Sequence, residues 1–183
     1  MGLGVTLAGG MGLWVALAGG PASAFTDSLM ACNASAFEAA EDFLRERGFA
    51  RVHAAGDLSP AQARGAAWTL MPPYLDSLGT RADRGGQDVA ALFEIQRRAV
   101  PGLFRRVETG TARFRVYVRG DDVMTMTQSD AGDGRARRSC RLALGPDARD
   151  VVSSGPLNTA NHPDAPARGL YSKEFILPEE TSE

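Results

Sequence analysis

The sequence predicts an α+β domain, an antiparallel sheet covered on one face by about three helices, and three features point to it. Segments follow the order helix, strand, helix, helix, then consecutive strands, which segregates helices from a sheet instead of interleaving them with parallel strands. Residues 111–144 read as a three-strand meander, beginning with Phe114, Val116 and Val118 in alternation with Arg113, Arg115, Tyr117 and Arg119. That period of two belongs to a strand with one face buried. Finally, Cys140 in the last of these strands and Cys32 ahead of the first helix are the chain's two cysteines, and a bond between them is predicted.

With 183 residues, 44% of them apolar, the chain can bury one sizeable core, so a single domain over residues 25–178 is expected. A solvated acidic tail is expected at 179–183. The formal charge of -2 sets up no global field for nucleic acid or lipid, and neither is predicted as a partner. Lys173 is the one lysine among 20 basic residues; this preference for arginine has no physical explanation in the sequence.

Residues 1–24 carry no charge and end in Ala22-Ser23-Ala24, the small-x-small form of a signal-peptidase site, which predicts cleavage before Phe25 and a periplasmic or secreted product. An uncleaved anchor is the rival, since the run is long enough to span a bilayer. Seven glycines and Pro21 argue against it, because they make a poor helix. Leu29-Met30-Ala31-Cys32 also resembles a lipobox, which would lipidate Cys32, but Asp27 separates it from the apolar run. Without that anchor, no membrane contact is expected after cleavage. In an oxidising compartment a single pair of cysteines reads as one disulfide. Closing a loop of roughly a hundred residues is worth about 4–5 kcal/mol in the chain-entropy model.

Ser35-Ala36-Phe37-Glu38 has the form of a capping box ahead of a helix over 36–47, with Phe37, Ala40, Phe43 and Leu44 on one stripe and Gly48 to end it. Phe49–Ala54 reads as a short strand. Ser59-Pro60 starts a second helix that must stop before Pro72-Pro73, with Trp68 and Leu70 as its anchors. A turn-rich loop is expected over 78–87. Asp88 then caps a third helix carrying Val89, Leu92, Phe93 and Val100, which Pro101 ends or kinks. In the meander, Val123–Gln128 is apolar on both faces. A three-residue turn Gly120-Asp121-Asp122 points Met124 and Met126 inward, whereas a two-residue turn points Val123, Thr125 and Thr127 there. The first is expected, because buried threonine hydroxyls need partners. Residues 145–169 read as surface chain, and Gly169–Leu177 as an edge segment.

If one sheet face is wet, Arg113, Arg115, Tyr117 and Arg119 share it with Arg137, Ser139 and Arg141, placing five guanidinium groups together. Such forks suit carboxylate or phosphate. The expected function is therefore a non-catalytic module binding an anionic small molecule or an acidic protein partner, set against the plain solvated side of a sheet. Asp121-Asp122 and Asp130, Asp133 lack calcium-loop spacing and read as hairpin turns. No metal site and no cofactor is predicted. The alternatives are a small hydrolase using His162 with a nearby acid, and a structural envelope-associated protein.

Overall fold

The computed structural model describes residues 27–74, 85–105, 112–145 and 169–178. The predicted leader, the 179–183 tail, His162 and most of the 145–169 stretch lie outside the described residues, as do residues 78–84 of the predicted loop. The fold is α+β. Five strands, β1 (Ala50–Val52), β2 (Arg113–Arg119), β3 (Asp122–Gly132), β4 (Arg135–Ala143) and β5 (Leu170–Pro178), form one sheet in chain order. Every neighbouring pair is antiparallel. Thus the meander is present, and the expected edge segment joins it as a nine-residue strand.

Helix α1 spans Phe37–Glu46, one residue inside the expected start, and its N-cap is Ala36 with no side-chain cap bond. The capping box at Ser35 is absent, and the carbonyls of Ala34 and Ala36 accept from the Arg138 side chain. Gly48 closes the helix at φ +79, with Gly48 N–H donating to Arg45 O and Phe49 N–H to Leu44 O, the paired bonds of a Schellman end that only a left-handed residue permits. Helix α2 (Pro60–Thr69) has the expected start: Ser59 Oγ accepts from Gln62 N and Gln62 Oε1 from Ser59 N. Helix α3 (Gly85–Leu103) begins three residues before Asp88 and runs through Pro101. Residues 85–87, expected in the loop, are therefore helical. Pro101 stands in the last turn, so the backbone bond it cannot donate to the Arg97 carbonyl is lost near the helix end.

The turn after β2 decides how the molecule is layered. Arg119 pairs with Asp122, leaving Gly120-Asp121 as a two-residue connection with φ +56 at Gly120. The expected three-residue turn is thereby corrected. Residues opposite one another in an antiparallel ladder share a face, so Phe114, Val116 and Val118 stand with Val123, Thr125 and Thr127. Met124 and Met126 fall on the other side with Tyr117, and continue to Leu142 and Cys140 of β4.

Both faces are buried, which corrects the expectation that the helices gather on one. On the first face, Phe37, Ala40 and Leu44 of α1 and the Leu29–Cys32 segment pack on Tyr117, Met124, Met126, Cys140 and Leu142. On the second, Trp68 of α2 and Phe93 of α3, stacked with ring centroids 4.8 Å apart, pack with Val116, Val123, Ala143 and Leu170. Each such aliphatic or aromatic side chain contributes about 1.5–3 kcal/mol when fully buried. Gly65 lets α2 sit this close, since a Cβ there would lie 2.7 Å from Val123 Cγ2. The predicted Cys32–Cys140 disulfide is present, with Cα atoms 5.8 Å apart and a sequence separation of 108. It ties the chain ahead of α1 to β4.

Candidate functional site

The register divides the six predicted anion-binding residues. Arg113, Arg115, Tyr117 and Arg119 stand on the α1 face, whereas Arg137 and Arg141 stand on the α2/α3 face. The five guanidinium groups do not converge. Once the β2–β3 turn has two residues rather than three, odd-numbered positions of β2 share a face with even-numbered positions of β3 and β4.

On the α1 face the arginines meet the helix's own acids. Arg113 bonds Glu38 at 2.8 Å. Glu41 of α1 turns to the sheet, where its Oε1 accepts from the Tyr117 hydroxyl at 2.7 Å and lies 3.4 Å from Arg51 and 3.7 Å from Arg115. Burial, then the hydrogen bond to Glu41, drives the Tyr117 phenol far above its ordinary range. The Arg115 guanidinium is pushed down, chiefly by burial and next by the charge of Arg51. Arg119 donates to the Arg47 carbonyl at 3.3 Å and Asp122 at 3.1 Å, and lies 4.4 Å from the Phe49 ring centroid. These four residues join α1 to the sheet.

Arg138 was not singled out in the sequence, yet it is the most deeply engaged charge in the described structure, with 0% exposure. Its Nε donates to Gln128 Oε1 at 2.9 Å, and one terminal nitrogen donates to the carbonyls of Ala34 and Ala36 at 2.5 and 3.3 Å. Phe37 lies beneath it, 5.4 Å from the guanidinium carbon, within cation–π range. Its place was legible: in an alternating strand, residue 138 shares a face with Cys140 and Leu142.

Arg141, on the other face of the same strand, has a different environment. It stands directly opposite Thr125 on β3 and Ser172 on β5. Its Nε is buried and has no hydrogen-bond partner, and the same holds for Thr125 Oγ1, on a residue 1% exposed. Burial pushes the guanidinium down from its usual range, against the opposing pull of the Glu174 carboxylate and of Tyr74. Arg137, four residues earlier on the same strand, is half exposed and bonds Glu174 at 3.4 Å. A buried polar group left unsatisfied costs about 1–3 kcal/mol.

A cleft of about 210 Å³ opens where the short β1 ends, lined by Arg51, His53, Phe104, Phe114 and Arg115 among others. Its two guanidinium groups already share Glu41. Asp122 serves the fold, accepting from Gly145 N–H at 2.8 Å as well as from Arg119. Asp130 accepts from Gly132 N–H at 2.6 Å in the bulge before the Asp133-Gly134 turn. Among the described residues no group of three or more His, Cys, Asp or Glu side chains is placed to hold a metal ion. No protein-family model matches the chain, and no curated protein or solved structure matches it.

Proposed function

We propose that this chain is a non-catalytic module that binds an anionic small molecule or an acidic partner, with Arg141 as the seat. The observation that carries this is the contrast within one site: a guanidinium drawn out of water whose Nε has no partner, directly opposite a buried threonine hydroxyl that also has none. A charge-assisted hydrogen bond to a planar or tetrahedral oxyanion is what such a group lacks. Of the six candidates from the sequence, Arg137 is the one that shares this face with Arg141, and it extends the positive edge of the seat. Arg113, Arg115, Tyr117 and Arg119 are joined to α1 or to neighbouring strands and serve the fold.

The module acts in an oxidising compartment, reached by cleavage of the 1–24 leader. Supporting this are the Cys32–Cys140 bond, which persists in such compartments and is rare where thiols are kept reduced, and the apolar start of the sequence. No helix among the described residues is long and apolar enough to cross a membrane.

The test separates the two faces. Calorimetric titration of the exported, oxidised chain with butyrate, succinate, inorganic phosphate and polyglutamate should show binding to at least one. Arg141→Ser should then weaken it by at least about tenfold, equivalent to 1.4 kcal/mol, while Arg115→Ser leaves it within about twofold. Equal losses from both variants, or no binding to any of the four, would reject the assignment.

A further inference from the structure

One edge of the sheet is incomplete. Strand β1 has three residues and pairs only with Val116, Tyr117 and Val118 of β2, whereas β2 begins at Arg113. Arg113, Phe114 and Arg115 pair with β3 on one side, and among the described residues no strand pairs with them on the other. Such an edge offers backbone donors and acceptors to an extended chain laid beside it. The cleft of about 210 Å³ lies at this gap, and its walls differ by face. Val52, Phe104 and Phe114 are apolar and belong to the α2/α3 side, while Arg51 stands opposite Tyr117 on the α1 side. Among the described residues Arg51 has one ionic contact, 3.4 Å to Glu41 Oε1, longer than the roughly 2.7–2.9 Å of a strong charge-assisted bond. That oxygen also accepts from Tyr117 at 2.7 Å and lies 3.7 Å from Arg115. Two guanidiniums against one carboxylate leave a positive charge, and the Arg51 side chain is 37% exposed.

We propose that this gap binds the carboxyl-terminal end of an extended peptide from a partner protein, laid along β2 with its terminal carboxylate on Arg51 and its last side chain against Val52, Phe104 and Phe114. Charge fixes the direction. Val52 and His53 stand in line with the gap, so an added strand must end there. A terminal ammonium would be repelled by Arg51 and Arg115, whereas a carboxylate meets an incompletely neutralised guanidinium. The peptide therefore runs parallel to β2, from Arg113 toward Val116. A terminal residue suits the two walls because its carboxylate and side chain diverge, one toward the α1 face and the other toward the α2/α3 face. Main-chain bonds to the strand edge supply affinity, and the apolar wall selects the last side chain. This site is separate from Arg141, which lies on β4, two strands away.

The experiment is calorimetric titration of the exported, oxidised chain at pH 7 with the peptide acetyl-Ser-Thr-Val-Leu, as the free acid and as the carboxyl-terminal amide. The acid is expected to bind at least about tenfold more tightly than the amide, since the amide lacks the charge that Arg51 meets. Arg51→Ser should bring the acid down to the level of the amide while the thermal midpoint holds, because this side chain is more than a third exposed. Arg141→Ser should leave the acid within about twofold, which keeps the outcome independent of the Arg141 seat. A serine-ended acid, acetyl-Ser-Thr-Val-Ser, should bind about fivefold more weakly for want of an apolar side chain. Equal affinity for acid and amide, equal affinity for leucine and serine ends, an unchanged affinity in Arg51→Ser, or no heat with any of the peptides would overturn the proposal.

Discussion

Arg138 and Arg141 stand three residues apart on β4, on opposite faces of one sheet. Toward α1, Arg138 has no exposure, yet it finds a side-chain amide and two backbone carbonyls. Toward α2 and α3, Arg141 is half buried with its Nε unpartnered. The same residue type on the same strand thus fastens the fold on one side and waits for an acceptor on the other. Burial alone does not mark an arginine as functional, since Arg138 is fully buried and holds α1 to the sheet. The contrast extends to whole faces. The α1 side carries the disulfide, the Glu38 and Glu41 bonds and three guanidiniums within 6 Å of the Phe37 centroid, whereas the other side holds mainly by apolar packing.

If the faces differ in this way, the largest loss should come from cutting the covalent tie. The Cys32→Ala, Cys140→Ala double variant should lose about 4 kcal/mol in denaturant unfolding; a loss below about 1 kcal/mol would mean that the other α1-face contacts suffice. Next comes the arginine pair. Arg138→Leu should cost about 3 kcal/mol because it leaves the Gln128 side-chain oxygen and the Ala34 carbonyl without their buried donor, whereas Arg141→Leu should stay within about 0.5 kcal/mol, and comparable costs would erase the distinction. The smallest effect belongs to Tyr117. Its phenol is raised by burial and by its bond to Glu41, so its contribution is full below the ordinary tyrosine value of about 10 and is lost as pH climbs beyond it. Tyr117→Phe should cost about 1 kcal/mol at pH 7 and flatten the alkaline fall in stability measured between about pH 9 and 11; an unchanged alkaline limb would show that another group titrates there.

The sequence made the class, the meander and the cysteine pairing legible because each depends on local pattern: alternation in β2, two cysteines, Ser59-Pro60 before α2. It misled where one residue in a turn changes every face. Met124 and Met126 were expected to be buried at the expense of Val123, Thr125 and Thr127, yet Val123, Met124, Thr125 and Met126 are all at 0–1% exposure. The apolar character of both sides of β3 was itself the sign of a sheet covered twice. An assumed wet face makes that sign ambiguous and gathers Arg113, Arg115, Arg119, Arg137 and Arg141 on one surface, whereas the register divides them between two. Ser35 misled for another reason. Its S-x-x-E spacing is present, but Ala36 and not Ser35 stands at the N-cap, and the Glu38 carboxylate is paired with Arg113 on the sheet. The unpartnered state of Thr125 was beyond reach, since it depends on what packs around the hydroxyl.

Arg138 grips the incoming segment by peptide oxygens, which every amino acid supplies. Asn33, Ser35 and Ala36 are therefore free to vary in identity so long as the chain keeps its path, with Cys32, Ala34 and Phe37 as the points that pack on the core. Relatives of this protein should consequently betray themselves by an arginine two positions before the second cysteine, not by the letters of the stretch it holds.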